Sequence, residues 1–309
     1  MEKNDIIIKP TGNTVKIFSK TDVENYEMIK NMLLGFAIGD AVGVPVEFKT
    51  REELEENPVM EMTGYGTHNM PLGTWSDDTS LTLALMDSLA ECGFVNIKDI
   101  REKFLMWYEE GKYTATGEVF DIGKTTSEAL EKMRTYSEDE TTGGKAIEDN
   151  GNGGLMRIMP LAFYFHVADI CDSEKKETIV NVVSGMTHAN EISQKVCNEY
   201  IETLLKLMSG QDYRNIIKTN EAIPEKNNGY VETTLKSAYW CICNSSSYKE
   251  AILKAINLGN DTDTVAAITG SFAGCIWDIP EDWYYKLLNK KNIYEVLMRF
   301  GNKFLGEIN

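Results

Sequence analysis

Positive charge is in short supply in this chain: 31 lysines and arginines face 48 aspartates and glutamates, a formal net charge of −17. That balance repels phosphate backbones and anionic headgroups, so neither nucleic acid nor membrane is expected as a partner. It suits a cationic partner or plain solubility equally well and names no function. Histidine is scarcer still, with 3 in 309 residues. His68, His166 and His188 all lie far in sequence from Cys241-Ile-Cys243, which leaves no zinc-ligand spacing. The six cysteines (Cys92, Cys171, Cys197, Cys241, Cys243, Cys275) are scattered, mostly within apolar helical patterns. They are expected to be buried free thiols of a reducing compartment. No apolar run reads as long enough to span a membrane, and MEKNDIIIKP has neither the basic start nor the apolar middle of a signal peptide. A cytoplasmic protein is the expectation. No repeat of fixed period and no long biased linker divides the chain.

What is present is 42% hydrophobic and 26% charged, a globular composition. Residues 5 to 18 alternate around Pro10-Thr-Gly-Asn13, which predicts a β-hairpin, an appendage within residues 1–24. From there helical periods dominate, and residues 25–309 are expected to form one all-α domain. The clearest helical stretches are Tyr26 to Ile38, Lys98 to Glu110, Leu155 to Val167, Glu191 to Met208, Tyr248 to Leu258 and Ile293 to Leu305.

Gly73 to Leu85, GTWSDDTSLTLAL, carries the chemistry. Ser76, Asp77, Asp78 and Thr79 precede an apolar helix-compatible run, where one acid or hydroxyl would suffice to accept the unpartnered N–H groups of a helix start. Capping alone explains any single acidic pair. A second stretch, Gly259-Asn-Asp-Thr-Asp-Thr264, repeats the arrangement with Asp261 and Asp263 before a helix rich in alanine and glycine. Small residues let another backbone approach, so that helix is expected in the middle of the fold. Two buried helix starts with paired acids repel each other unless cations lie between them, and four carboxylates balance two divalent ions. Hard oxygen ligands suit Mg²⁺, Mn²⁺ or Ca²⁺.

Asp40 and Glu47 bracket a break at Gly43 and Pro45. Asp40 is odd at what reads as a helix C-terminus, where negative charge is disfavoured, and a cation or buried donors would explain it; it joins the substrate-binding candidates. Asn150-Gly-Asn-Gly-Gly154 reads as tight turns, or as a loop whose bare N–H groups meet a phosphate at the start of a helix from Leu155. It is not a Walker loop, since Lys and Ser/Thr at the required spacing are absent. Gly123-Lys-Thr-Thr126 could act likewise, and Arg157 suits either a phosphate or a structural ion pair. His188, in Thr187-His-Ala-Asn190, is either a general base or a hydrogen-bonded loop residue.

In order, LLGFAIGDAVGVPVEF (33–48), GTWSDDTSLTLAL (73–85), GNGGLMRIMPLA (151–162), THAN (187–190) and GNDTDTVAAITGSFAGCIWDIP (259–280) resemble the ADP-ribosylglycohydrolase family over residues 28 to about 305. The resemblance implies a single orthogonal all-α domain of that type, with two Mg²⁺ or Mn²⁺ ions held by Ser76, Asp77, Asp78, Asp261, Asp263 and Thr264. It puts Glu47 over the metals, with Glu47, Asp77 or Asp78 as catalytic base. Gly123, Asn152, Gly153 and Gly154 fall where relatives hold the diphosphate, and His188 near the ribose and adenine. Ser76 stands where many relatives have Thr, and Asn260 where Gly is usual. The implied activity is removal of ADP-ribose from a protein side chain, arginine foremost. The implied partner is an ADP-ribosylated protein or an ADP-ribose-containing small molecule. Other readings are a serine-linked or O-acetyl-ADP-ribose hydrolase, a non-catalytic ADP-ribose binder, and an immunity protein whose hairpin enters the cleft of an ADP-ribosylating toxin.

Overall fold

The computed structural model describes residues 6–11, 14–135, 142–219, 222–224 and 228–306, with side chains from residue 19 onward. Fourteen α-helices occur among the described residues. They are α1 (Lys20–Gly43), α2 (Arg51–Glu56), α3 (Asp77–Cys92), α4 (Ile97–Glu110), α5 (Lys124–Thr135), α6 (Pro160–Val167) and α7 (Ser173–Ser184). The remainder are α8 (Glu191–Met208), α9 (Tyr213–Ile216), α10 (Val231–Cys243), α11 (Tyr248–Asn257), α12 (Thr262–Ile276), α13 (Glu281–Lys286) and α14 (Lys290–Phe304). Ahead of them, β1 (Ile6–Thr11) and β2 (Thr14–Ser19) pair antiparallel along the backbone. Residues 1–5 and 12–13, part of the stretch expected to enter a toxin's cleft, lie outside the described residues.

Helix α1 starts earlier and ends later than its periodicity predicts. Ser19 and Asp22 form a reciprocal capping box at its start, and the helix runs through Asp40 to Gly43 before Pro45 opens a tighter turn, Val44–Val46. It is also long and apolar enough to cross a membrane by length and composition, contrary to the reading of the bare sequence, yet 89% of its apolar window is buried inside the fold. Its partner is α12, which lies antiparallel against it. A Cβ added at Gly35 would come 2.4 Å from Gly270 O, one at Gly39 would come 2.1 Å from Ala266 O, and one at Gly43 would come 2.3 Å from Asp263 Cα. Backbone thus lies on backbone along three turns, an approach that glycine at positions 35, 39 and 43 permits. This seam delivers the start of α12 to the end of α1, and Thr262 Oγ1 locks it by donating to Gly43 O at 2.8 Å.

Helix α3 is buried over nearly its whole length, from Asp77 to Ala90, and its start meets the same place. The cores of α4, α8, α10, α11 and α14 close around this trio through one continuous apolar cluster. Two expectations need correction here. The stretch from Leu155 is not helical at its start: Asn152–Gly154 form a tight turn, further turns follow, and α6 begins only at Pro160, where the missing N–H costs nothing. The thiols are all free, but Cys171 and Cys243 are exposed rather than buried.

Candidate active site

Three helix ends converge. Ser76 caps α3, its hydroxyl accepting from Asp78 N at 3.2 Å, and Asp77 and Asp78 occupy the first turn. Asp40 supports that turn from α1. Its Oδ1 accepts from Ser76 N at 2.9 Å, and its Oδ2 accepts from Thr79 N at 3.1 Å and Thr79 Oγ1 at 2.6 Å. Asp40 is wholly buried. Buried donors, not a helix end, are what its charge answers. At α12, Asp263 Oδ1 accepts from Thr264 N at 2.9 Å, and Thr264 Oγ1 reaches Asp78 Oδ1 at 3.4 Å across the helices. Asp261 stands at the cap position, where its Oδ2 takes Asn152 Nδ2 at 2.5 Å instead of the helix backbone.

Glu47 closes the cluster from the turn after α1. One oxygen each of Glu47, Asp261 and Asp263 lies within 4.8 Å of the others, a spacing that could hold a metal ion. Two buried oxygens, Asp78 Oδ2 and Asp263 Oδ2, have no hydrogen-bond partner. Burial first, and then the neighbouring carboxylates, push Asp77, Asp78 and Asp263 well above the usual carboxylate range. Glu47 is driven to about 11 by burial and by the charges of Asp121, Asp261 and Asp77. So many acids cannot all ionise in a dry site without added positive charge.

Asp121 and His68 belong here and the sequence reading missed both. Asp121 lies within the irregular segment 114–123 that precedes α5, with no periodic context to mark it. His68 Nε2 sits 2.5 Å from Glu47 Oε2, and Thr67 Oγ1 donates to Glu47 O at 2.7 Å. The His68 ring lies between Phe48 and Phe120, with centroids 5.8 and 5.1 Å away. The sequence carries no signal for either; the structure does, since Phe48, Tyr65, Asn69, Asp121 and Asn260, five of the eight non-glycine residues with positive φ among the described residues, gather here, and strain of that kind collects at working sites. Asn260, at φ 63°, does the work of the glycine usual there, since asparagine tolerates that conformation. Its backbone pairs with the Glu47 turn, Phe48 N donating to Asn260 O at 2.7 Å and Asn260 N to Lys49 O at 2.6 Å.

These groups line one wall of a cleft of about 600 Å³ that Glu47, Asp77, Asp78, Asp121, Asp261 and Thr264 share with the first turn of α5, the Gly151–Gly153 turn and His188. Of the sequence candidates, Gly123, Asn152, Gly153 and His188 face this cleft, while Asp40, Ser76, Asp263 and Gly154 stand behind its surface. Arg157 does not reach it. The guanidinium is fully buried and donates to Val183 O, Ser184 O and Thr187 Oγ1, so it is no phosphate partner and forms no ion pair among the described residues.

A helical bundle whose buried helix starts pool their carboxylates beside a glycine-rich turn defines an acidic-centre enzyme class, and the comparisons narrow it. The ADP-ribosylglycohydrolase family pattern matches residues 21–308, and the chain belongs to that family. It is 33% identical to the ADP-ribosylarginine hydrolase Tri1 of Serratia proteamaculans (strain 568) over 87% of this chain and 78% of that one. It is 29% identical to the ADP-ribosyl-[dinitrogen reductase] glycohydrolase of Rhodospirillum rubrum, over 82% of this chain and 88% of that one. A solved structure described as an ADP-ribosylglycohydrolase-related protein complex superposes with a TM-score of 0.76 at 26% identity, covering 93% of this chain and all of that chain.

Proposed function

We propose that the chain hydrolyses the N-glycosidic bond between ADP-ribose and an arginine side chain of a modified protein, at a centre holding two Mg²⁺ or Mn²⁺ ions. The observation that carries this reading is the pair of orphaned carboxylate oxygens, Asp78 Oδ2 and Asp263 Oδ2, buried among further acids. Oxygens without donors, in a site rich in negative charge, are what hard divalent cations bind. Asp77, Asp78, Asp261, Asp263 and the hydroxyls of Ser76 and Thr264 would hold them. Bound there, the cations supply the charge that lets these acids ionise and the Lewis acidity that polarises the ribose hydroxyls and a water.

The chain's own residues do the rest. Glu47, ionised, takes a proton from the water that attacks the anomeric carbon, while the carbon–nitrogen bond breaks with its electron pair passing to the guanidine nitrogen. That nitrogen then receives the proton from Glu47 and departs as guanidinium. Positive charge developing on the sugar is stabilised by the carboxylate wall. Asp121, beside Glu47, is suited to accept the hydrogen bonds of a guanidinium and hold its charge as it leaves. That feature favours arginine over serine, whose hydroxyl brings no charge to meet. Asn152 is held by Thr234 Oγ1 at 3.0 Å and by Asp261, so the glycine turn keeps one orientation towards the diphosphate.

The test is ADP-ribose release from arginine-modified and serine-modified peptides, each with Mg²⁺, Mn²⁺ or chelator. Metal-dependent release from the arginine peptide, with the serine peptide much slower, is expected. Release from serine alone would overturn the linkage, and full activity in chelator would overturn the metal centre.

A further inference from the structure

Behind the glycine-rich wall of the cleft lies a charge that the chemistry above does not use. Arg157 has no exposed surface, and no carboxylate accepts from it among the described residues. Its partners are the terminal carbonyls of α7, Val183 O and Ser184 O at 3.3 Å, the Phe104 ring at 4.8 Å, and Thr187 Oγ1 at 2.6 Å. A buried cation with no counter-ion is costly, so what it touches matters. Thr187 Oγ1 in turn lies 2.9 Å from Nδ1 of His188, and His188 lies at the cleft.

Proton counting gives this chain of contacts a direction. Arg157 can only donate, so the threonine oxygen accepts from it. The hydroxyl proton of Thr187 then has one acceptor within reach, Nδ1 of His188; any other arrangement strands a buried O–H. The guanidinium charge acts the same way, because it favours a lone pair over an N–H on the near side of the ring. The ring's proton is therefore left on Nε2. The Nε2 atom has no partner among the described residues and points past the glycine turn, where an added Cβ at Gly151 would lie 3.4 Å from it and one at Gly153 would lie 3.3 Å from it. Burial first, and then the Arg157 charge, push His188 down to about 3, so the ring is neutral.

We infer that Arg157 is a positioning residue which, through Thr187, fixes His188 as the neutral Nε2–H tautomer and so presents a single hydrogen-bond donor to an oxygen of the ADP-ribose moiety. The binding half of this inference rests on the ADP-ribose reading above, whereas the tautomer half does not. Replacing Arg157 would also strip the terminal carbonyls of α7 of a donor, so the threonine is the place to cut. Thr187→Val keeps the shape and leaves Arg157 its two carbonyls, and Thr187→Ser restores the hydroxyl.

The measurement is the ¹⁵N shift pair of the His188 ring in ligand-free protein, assigned with His188→Gln, alongside calorimetric affinity for ADP-ribose. In the parent protein and in Thr187→Ser the proton should sit on Nε2. In Thr187→Val the tautomers should mix and ADP-ribose should bind roughly twofold more weakly, because a competent tautomer populated to about one half lowers the apparent affinity by that fraction, with Mn²⁺ affinity unchanged. A parent ring protonated on Nδ1, a tautomer unmoved by Thr187→Val, or unchanged ADP-ribose affinity in that variant would each overturn the inference. If the parent protein binds no ADP-ribose at all, the functional reading fails, and the ligand-free tautomer still decides the role of Arg157 and Thr187.

Discussion

Glu47 differs from the other acids of the centre in what holds it. Asp77, Asp78 and Asp263 are rooted in the first turns of α3 and α12, whereas Glu47 hangs from a turn steadied by His68, Thr67 and Asn260. Glu47→Gln keeps the shape and removes the titrating group. We expect kcat to fall about 10²–10⁴-fold, the usual worth of a general base, with Mn²⁺ and ADP-ribose affinity nearly intact and one limb of the pH–rate profile gone. Loss of metal with an unchanged rate at saturating Mn²⁺ would make Glu47 a ligand instead. Asp263→Asn should do the opposite. It removes a buried charge opposed by Glu47, Asp121 and Asp78, so turnover and metal binding should disappear while the chelator-treated protein melts a few degrees higher, at roughly 2–4 °C per kcal/mol. A lower melting temperature in chelator would show that the charge is not the burden described. The paired acids at 77–78 and 261–263 were legible because adjacent carboxylates before an apolar run exceed what capping needs. Asp121 and His68 were not, since each stands alone in an irregular loop and acquires meaning only when the chain folds Glu47 against it.

Among elements, the seam between α1 and α12 sets the distance between the acidic helix starts. A methyl at Gly39 would come 2.1 Å from Ala266 O, a backbone atom that cannot swing aside. Gly39→Ala should cost about 1–3 kcal/mol, as overpacking does, and weaken Mn²⁺ binding by moving Asp263 away from Asp78. Thermal melts and metal titration check the two effects together; a variant with parent stability and affinity would show that the seam is not a constraint. Element boundaries were readable where a side chain closes the helix. Helix α8 runs from Glu191 to Met208 as its periodicity predicts, because Asn190 accepts from Ile192 N at 3.0 Å. They were unreadable where tertiary contacts override the local signal. Helix α1 continues past Gly39-Asp40 because α12 and the start of α3 absorb the groups that would otherwise end it, and α6 waits for Pro160 because the Gly153–Gly154 backbone is spent on packing against His188.

For the whole molecule, the raised acids tie stability to pH and to cations. Burial lifts Asp40 from 3.8 to about 6 against its hydrogen bonds from Thr79 and Ser76. Glu47 and the α3 and α12 acids are lifted as well. At the most acid pH these groups are protonated folded or unfolded and exert no bias. As pH rises past about 4 the unfolded chain ionises first and binds fewer protons than the folded one, so the metal-free fold loses stability, through about pH 6 for Asp40 and onward for the others. Glu250, held down to about 2 chiefly by the Lys254 hydrogen bond, acts only in more acid solution and does not oppose this trend. Melting temperature in chelator should therefore fall between about pH 5 and 8, and saturating Mn²⁺ should restore it most at the upper end. A melting temperature that climbs with pH in chelator would contradict the charge balance argued here.

The most direct test of the centre itself is an anomalous-scattering map from crystals grown with Mn²⁺ and ADP-ribose. Two peaks are expected between the starts of α3 and α12, each ringed by oxygens of Asp77, Asp78, Asp261 and Asp263. No peak in that cluster, a single peak elsewhere, or a metal held by cysteine and histidine would contradict a dinuclear acidic centre.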